Sequence, residues 1–502
     1  MNTLLNGMKA ATNYALTENG GITHKTTNSD LLDMFAMGAA MRNRSDEDVI
    51  LMFKKAFAEN AELAMKMVFY IRDVRGGQGE RRFFRTVMHW AATQKDIRDS
   101  VAKNIQYFAE FGRWDDLYCL IDTPLQAQAL KFMKDQLALD VQCKTPSLLA
   151  KWLKSENASS AETARLADIT RRYFGMTHKE YRKTLSVLRA RINVLEVLMS
   201  ANRWDEIEFD KIPSKAGMIY KNAFARRDII KAKYEKFAKD ENTKVNASTL
   251  YPYEVVEKAI ELMGSMYYGR RNIALDNTDR LMINKYWENL TDYFKGAKLD
   301  ALCMIDTSGS MHGTPINVAT SLGLYCAERN QGPWHNHYIS FSSRPQLIET
   351  SGVDFCDKVD RIVKTNLCEN TNIEAAFDMV LNTAIRTGAT LPEYMIVISD
   401  MEFDSATGNS WRRSGSNMTT ANAESVMETI ERKFNAAGYR MPKLIYWNVD
   451  ARQANIPMIG NHYVSYVSGF SPSIFKSILT GKTGWDLMLE AIDCERYACI
   501  HA

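Results

Sequence analysis

The sequence predicts two different folds in one chain, an all-α helical-repeat domain followed by an α/β domain with a doubly wound sheet. From about residue 28 to 296, short amphipathic helical stretches follow one another with brief polar turns, which is the pattern of an α-solenoid. After residue 298, apolar strands alternate with helices, which indicates a mainly parallel sheet covered on both faces. With 502 residues the chain exceeds a single hydrophobic core, so a multidomain protein is expected.

We place the domain boundaries where this pattern changes. Residues 1–27 are expected to form a polar N-terminal arm, residues 28–297 the helical-repeat domain and residues 298–502 the α/β domain. The candidate strands of the last domain are residues 300–306, 336–342, 346–350, 393–399, 443–449 and 462–467.

The composition excludes several classes of protein. No apolar stretch approaches the length of a membrane span, and the N-terminus lacks the basic and apolar regions of a signal peptide. The eight cysteines include no C-x-x-C pair, so zinc is not expected and the thiols are expected to be reduced. These features predict a cytoplasmic protein without a membrane partner.

The net charge of +3 hides an asymmetry along the chain. Residues 1–300 contain 47 lysines and arginines against 39 aspartates and glutamates, whereas the remainder contains 16 against 21. The helical part is therefore the better candidate for binding a polyanion.

The most distinctive motif follows the first predicted strand of the α/β domain. Asp306, Ser308 and Ser310 come at alternate positions where that strand ends. In a doubly wound sheet, ligands bind beyond the carboxyl ends of such strands. Carboxylate and hydroxyl oxygens without soft ligands nearby suit a hard cation such as Mg²⁺. Taken alone, the motif is better explained as a plain Asp/Ser turn.

Two further oxygen ligands follow in order along the chain. Thr371 precedes a helical pattern, and Asp400 follows the buried strand at residues 394–399. With Asp306, Ser308 and Ser310, they resemble position by position the metal-ion-dependent adhesion site of von Willebrand factor A domains. The resemblance implies that the site binds Mg²⁺ or another divalent cation, with an open position for an acidic partner residue or phosphate.

Positive charge is concentrated in residues 171–191, which hold seven Lys and Arg against one Glu. Cationic side chains combined with aromatic rings such as Tyr173 and Tyr181 can hold single-stranded RNA with little sequence preference. A solvated helix face explains the same charges about equally well. The candidate RNA contacts of this segment are Arg171, Arg172, Lys179, Arg182, Lys183 and Arg189.

A second basic segment surrounds the glycines of residues 76–79, where Arg75, Arg81 and Arg82 are candidate RNA contacts. Consecutive glycines before a helix can turn backbone N–H groups toward an anion. The alternative is a tight turn that needs the positive φ available to glycine. For the glycines themselves, this alternative is favoured.

The turn-rich loop after Asp400 is expected on the metal face, which makes Trp411, Arg412 and Arg413 candidate partner contacts. Glu402 could serve as a base. No Ser-His-acid set, Cys-His pair or nucleotide-binding loop accompanies it, so we expect a protein that is not an enzyme. A metal-dependent hydrolase is the most distant alternative.

Four stretches carry a resemblance to a known family: Ile71-Arg-Asp-Val-Arg-Gly-Gly-Gln-Gly-Glu-Arg81, Phe111-Gly-Arg-Trp-Asp-Asp-Leu117, Ser147-Leu-Leu-Ala-Lys-Trp-Leu-Lys-Ser-Glu-Asn157 and Ile212-Pro-Ser-Lys-Ala216. They resemble domain-of-unknown-function family 2828. Its layout of helical repeats followed by a von Willebrand factor A domain is similar to that of the Ro ribonucleoproteins, whose helical part is called the TROVE module.

The resemblance implies HEAT-like repeats that form a ring or horseshoe with the A domain. It also implies that the basic helical surface binds small structured or misfolded RNA, while the A domain holds Mg²⁺ and an acidic protein partner or another anionic ligand. The alternative is a non-enzymatic protein-interaction scaffold, an α-solenoid with an A domain and no nucleic acid. The salt dependence of RNA binding separates these two hypotheses.

Overall fold

The computed structural model describes residues 12–192, 194–266, 269–270, 276–341, 344–350, 352–365, 370–405, 424–459 and 463–502. Up to residue 288 these residues are mostly helical, as predicted, with α1 Asp30–Met37, α2 Asp46–Glu59, α3 Ala61–Arg72, α4 Arg81–Thr93, α5 Arg98–Asn104, α6 Phe108–Phe111, α7 Gln126–Gln142, α8 Leu149–Trp152, α9 Ala161–Phe174, α10 His178–Arg191, α11 Leu195–Ser200, α12 Ser214–Ala225, α13 Asp228–Lys239, α14 Pro252–Met263 and α15 Asn277–Glu288.

The boundaries of the basic helices α9 and α10 follow from their end residues. Ser160 accepts a hydrogen bond from the amide of Thr163 and begins α9, and Gly175, with φ of 71°, ends it. Thr177 and Glu180 then form a reciprocal capping box that begins α10. The two helices are therefore consecutive, separated by a short turn.

Part of the predicted N-terminal arm forms a β-hairpin. Its strands are β1 Tyr14–Leu16 and β2 Ile22–His24, which pair antiparallel. The amide of Thr17 donates to the carbonyl of Gly21 at 2.8 Å, and the amide of Gly21 donates to the Thr17 hydroxyl at 2.8 Å. Thr17 therefore closes the turn with both its backbone amide and its side-chain hydroxyl.

The α/β part contains a six-stranded sheet with strand order β10-β9-β8-β5-β6-β7. Only β7 runs antiparallel to its neighbour within this sheet, so the sheet is mainly parallel, as predicted. A separate short antiparallel pair is β3 Ser265–Met266 and β4 Gly269–Arg270. The sheet strands are β5 Ala301–Asp306, β6 His337–Phe341, β7 Gln346–Glu349, β8 Tyr394–Ser399, β9 Lys443–Asn448 and β10 Val464–Ser468.

Helices alternate with these strands. One amphipathic helix, Phe355–Thr365 after β7, was not predicted from the sequence. The helices of this part are α16 Thr314–Arg329, α17 Phe355–Thr365, α18 Ile373–Thr387, α19 Val426–Ala436, α20 Phe475–Ile478 and α21 Gly484–Ile492.

The described residues pack into two compact units, one drawn from the ranges 1–64 and 250–494 and the other from the ranges 65–249 and 495–502. This division differs from the predicted boundary at residue 297, because helices at both ends of the predicted helical domain pack with the α/β layers. Helix α1 contacts β10, where the Ser468 hydroxyl donates to the Phe35 carbonyl at 2.8 Å, and α14 packs against α16. We call the first the sheet unit and the second the helical unit.

Two observations bear on the classes of protein that the composition argued against, membrane proteins and disulfide-bonded proteins. Among the described residues, no helix has both the length and the apolar character needed to cross a membrane. The seven described cysteines are free thiols.

Candidate cation site and candidate nucleic-acid interface

Asp306 and Asp400 meet at one edge of the sheet. Strands β5 and β8 are parallel neighbours; Asp306 is the last residue of β5, and Asp400 directly follows β8. Both side chains are buried, and the Ser399 hydroxyl donates to Asp306 Oδ2 at 2.6 Å. Burial, and next the nearby carboxylate of Asp400, raise the pKa of Asp306 to about 7.

The two serines stand beside Asp306. The amide of Ser308 donates to Asp306 Oδ1 at 2.9 Å, which fixes the turn, and Ser308 Oγ lies 3.0 Å from Ser310 Oγ. The two hydroxyls are hydrogen-bonded to each other, and adjacent ligands around an octahedral ion with bonds of about 2.1 Å have the same separation of about 3.0 Å, so the spacing is compatible with Mg²⁺.

Thr371 lies in the loop that leads into α18. Asn372 begins that helix by accepting a hydrogen bond from the amide of Ala375 at 2.9 Å. The Thr371 carbonyl accepts from the amide of Asp404 at 3.0 Å, which ties the threonine to the segment that follows Asp400. Thr371 is buried.

Arg452, which was not predicted from the sequence, contacts this site. It follows β9, and its Nη2 donates to Asp400 Oδ2 at 2.6 Å, while its Nη1 lies 3.0 Å from Glu18 Oε2. One guanidinium thus bridges a predicted metal ligand and the N-terminal hairpin. Its position just after β9 could have indicated this contact, because β9 is parallel to β8 and the two strands end at the same edge of the sheet.

Glu402 has both carboxylate oxygens occupied. Asn455 Nδ2 donates to Oε1 at 2.8 Å, and the amide of Glu18 donates to Oε2 at 2.6 Å. Burial, with the nearby charges of Asp400 and Glu18, raises its pKa to about 7. Glu402 therefore holds loops together.

The partner contacts and the bound cation both remain predictions. Trp411, Arg412 and Arg413 lie outside the described residues. In the part of the chain that the structure describes, no group of three or more His, Cys, Asp and Glu side chains could hold a metal ion. The candidate site is instead a set of hydroxyls with two carboxylates.

In the helical unit, the glycines before α4 form a tight turn. A Cβ on Gly77 would lie 1.9 Å from the Tyr70 carbonyl, and Gly79 has φ of 67°. The amide of Arg75 donates to Asp73 Oδ1 at 3.0 Å, so this N–H is used inside the protein. The tight-turn explanation accounts for these glycines, whereas an anion site on their backbone has no support here.

Beside this turn, four cationic side chains gather around Asp115. Arg113 Nε lies 2.9 Å from Asp115 Oδ1, Arg85 Nη2 2.9 Å from Oδ2, and Lys154 Nζ 3.9 Å from Oδ2. The fourth is Arg81, an exposed residue whose guanidinium is partly shielded from water by its neighbours and interacts electrostatically with Asp115. Burial, and next the like charges of Arg113 and Arg85, lower the pKa of Arg81, which shows how closely these cations lie together.

The positive charge around Asp115 exceeds the negative charge. Asp116, the other carboxylate, is buried and already paired with the buried guanidinium of Arg72. Counting Arg72 and the four cations against Asp115 and Asp116 leaves a net charge of +3. The region is therefore suited to bind an anion.

The predicted contacts of α9 and α10 divide into two kinds. Arg189 is committed to the fold, because it donates to the carbonyls of Ala150 and Leu153 at 2.8 Å each. Arg171 pairs with Glu156 and Asp168 and donates to the Met176 carbonyl. The exposed residues of this set are Arg172, Lys179, Arg182 and Lys183.

Tyr181 is buried rather than free to stack on a base. Its hydroxyl donates to the Lys154 carbonyl at 2.9 Å, and burial raises its pKa. The idea that it forms a stacking surface is therefore wrong, because this tyrosine faces the core. Tyr173 is exposed.

One short segment joins the two basic regions. Lys154 belongs to the cluster around Asp115, and Glu156, two residues later, contacts Arg171 at 3.1 Å, His178 at 2.6 Å and Arg182 at 4.0 Å. The structure thus brings predicted contacts from both basic segments to one neighbourhood. We call Arg81, Arg85, Arg113, Lys154 and Arg182 the basic surface. Of these, Arg81 and Arg182 were predicted from the sequence as RNA contacts, and Arg85 lies in the second basic segment.

The other two predicted contacts of the second basic segment are Arg75 and Arg82, which lie near Arg81 in the sequence. Arg75 is exposed, and its Nη1 donates to the Glu110 carbonyl at 3.0 Å. Arg82 is half-buried in the first turn of α4, where its amide donates to Glu80 Oε1 at 2.8 Å.

Comparisons with known proteins match both parts of the chain. Residues 17–147 and 138–297 match the family described as Domain of unknown function (DUF2828). Residues 300–495 match a second family, described as Domain of unknown function (DUF7788).

Two similar proteins span nearly the whole chain. Uncharacterized protein L728 of Acanthamoeba polyphaga mimivirus is 30% identical over 519 residues, which cover 94% of this chain and 85% of that protein. The crystal structure of the RO (RSR) protein of Deinococcus radiodurans is similar with a TM-score of 0.47 and 12% identity, covering 93% of this chain and 100% of that one.

Proposed function

The chain belongs to the DUF2828 family, and from this premise we propose that it is a non-enzymatic, cytoplasmic RNA-binding protein. Its helical unit would hold small structured or misfolded RNA on the basic surface. The observation that carries the proposal is the surplus of cations around Asp115, next to Arg182. The layout of helical repeats followed by an A domain, which the sequence resemblance implies and which is similar to that of the Ro ribonucleoproteins, supports RNA as the polyanion.

The chemistry of the basic surface supports contact with a phosphate backbone. Arg81 is exposed and its charge faces other guanidiniums, so an incoming phosphate would relieve repulsion as well as gain attraction. The guanidinium of Arg113 stacks 4.1 Å from the ring centre of Trp152, which holds it in place. Such contacts give affinity without reading sequence.

Titration with a small structured RNA at several salt concentrations tests the proposal. With four or five phosphate contacts, a plot of log K for RNA binding against log salt concentration is expected to have a slope of about −3 to −4. The ratio of absorbance at 260 and 280 nm of the purified chain reports bound RNA independently. An RNA-free preparation without affinity for such an RNA would favour the scaffold alternative.

For the sheet unit, the proposal is a divalent cation that receives an acidic or phosphate ligand. Ser308, Ser310 and Thr371 would hold the cation directly, and Asp306 and Asp400 partly through water. The 3.0 Å spacing of the serine hydroxyls and the two adjacent buried carboxylates support this arrangement. A bound Mg²⁺ would supply a positive charge with exchangeable positions for an anionic oxygen.

Replacing Asp306 with asparagine is expected to weaken Mn²⁺ binding at least about tenfold, because a charged ligand worth more than about 1.4 kcal/mol is lost. Equilibrium dialysis with Mn²⁺ measures this. The matched control is Asp300→Asn. Asp300 directly precedes the first residue of β5, at the other end of the strand from Asp306, and its side chain accepts a hydrogen bond from Trp334 Nε1 at 2.9 Å. Equal Mn²⁺ affinity in the two variants would contradict the site.

A further inference from the structure

The tip of the N-terminal hairpin lies on the candidate cation site. Asn19 Nδ2 donates to Thr371 Oγ1 at 3.2 Å, and the same amide group donates to the Glu402 carbonyl. The Glu18 carboxylate lies 3.0 Å from Arg452 Nη1, on the guanidinium that also binds Asp400. Two consecutive hairpin residues therefore reach Thr371 and Asp400, one directly and one through Arg452.

The hairpin is held along both loops that frame the site. On one side, the Thr17 hydroxyl donates to the Phe403 carbonyl at 2.6 Å and the Ser405 hydroxyl donates to the Gly20 carbonyl at 2.9 Å. On the other side, His24 and Ile456 exchange two backbone hydrogen bonds of 3.0 and 2.9 Å. The hairpin thus bridges the segments that follow β8 and β9.

Gly21 shows how closely the hairpin approaches the sheet unit's own backbone. A Cβ at this position would lie 2.5 Å from the Phe403 carbonyl oxygen and 2.9 Å from that of Asp404. Because a backbone oxygen cannot move aside as a flexible side chain can, the docked position requires glycine. The contact is therefore built into the sequence.

The charges at this contact favour a cation. Asp400 interacts electrostatically with Asp306 and with Glu402, Glu402 also interacts with Glu18, and the guanidinium of Arg452 interacts with Asp400, Glu18 and Glu402. Asp450 interacts with Asp400, Glu18 and Arg452 as well, so five carboxyl groups in their charged forms against one guanidinium leave a net charge of −4. Arg452 offsets one of these negative charges, and a divalent ion would offset two more, so it would strengthen the docking of a hairpin that brings a further carboxylate.

We propose that residues 17–20 are an internal ligand of the cation site, with Glu18 and Asn19 as the contact residues. The inference rests on the proposed cation site and names the acidic partner that this site receives. The carboxylate and amide of the chain's own hairpin take the place on the metal face that an acidic residue of another protein would use. An external acidic ligand must displace the hairpin to reach the cation.

Hydrogen exchange of the full-length chain with and without Mn²⁺ tests this inference. Saturating Mn²⁺ is expected to slow the exchange of the amides of Glu18 and Gly21 at least about fivefold, because the cation and the docked hairpin stabilise each other. By the same reciprocity, the double variant Glu18→Gln/Asn19→Ala is expected to bind Mn²⁺ at least about fivefold more weakly. Gly21→Ala, which removes no polar group, is expected to abolish the Mn²⁺-dependent protection.

The outcomes separate the two proposals. If the unaltered chain binds no Mn²⁺, the cation site fails and this inference fails with it. If Mn²⁺ binds and Asp306→Asn weakens it, but exchange in the hairpin or the Mn²⁺ affinity of the double variant is unchanged, the internal ligand is overturned while the cation site stands. Slower exchange together with the weaker affinity supports the internal ligand.

Discussion

Replacing Arg81, Lys154 and Arg182 together with alanine is expected to weaken binding of a small structured RNA about 1,000-fold. Each residue would lose one phosphate contact worth about 1.4 kcal/mol, and the slope of log K against log salt should become shallower by about 2. The side chains of these three members of the basic surface are exposed or have only distant ion-pair partners within the protein. Lys154 and Arg182 lie 3.9 and 4.0 Å from their carboxylate partners, and Arg81 is exposed.

The matched control removes the same charge elsewhere in the helical unit. Lys231, Lys236 and Lys239 are exposed on α13, and their triple alanine variant is expected to retain affinity within about threefold. Fluorescence anisotropy with labelled RNA measures both variants. An equal loss in the two triples would show that net charge matters and location does not, and no loss in either would rule out the basic surface.

The strand ends were predictable because buried parallel strands leave a strong local signal. The apolar runs before Asp306 and Asp400 predicted β5 and β8, and the rule that ligands bind at their carboxyl ends placed both acids at one edge. Each of these inferences needs only local sequence and the direction of the strands. The structure confirms the fold at this point.

The sequence could not predict which arginines are held by hydrogen bonds within the protein and which are exposed and free to contact RNA. Arg189 and Arg182 lie seven positions apart in the same basic helix, yet Arg189 fills backbone acceptors at 2.8 Å while Arg182 is exposed. Which of them is used depends on where the segment with Ala150 packs, and that segment is 39 residues away from Arg189 in the chain. Local charge density carries no information about such partners.

The N-terminal hairpin was missed for a similar reason. Its strands have three residues each, too short for an alternating pattern to be significant. The contacts that define it join residues far apart, such as Thr17 and Phe403, which are separated by 386 positions. A polar stretch of this kind is indistinguishable in sequence from an arm without contacts.

Replacing Asp116 with alanine is expected to destabilise the helical unit by about 3–5 kcal/mol, which is the usual cost of leaving a buried charge unpaired. Arg72 is 2% exposed, and its Nε and Nη2 lie 2.8 and 2.7 Å from Asp116 Oδ2. The other oxygen accepts from Arg85 Nε at 2.7 Å, and the amide of Arg113 also donates to this side chain, at 2.9 Å. The midpoint of urea unfolding, followed by far-ultraviolet circular dichroism, measures the loss.

Two further variants isolate the cause. Asp135→Ala, which removes an exposed aspartate paired with Lys131, is expected to cost less than about 0.5 kcal/mol. The double variant Arg72→Met/Asp116→Asn removes both buried charges, while the asparagine oxygen still accepts from Arg113. It is expected to recover at least half of the stability lost in Asp116→Ala, because no unpaired charge remains in the core. If the double variant is as unstable as Asp116→Ala, the loss comes from packing or from the hydrogen bond to Arg113, and the unpaired charge of Arg72 is not its cause.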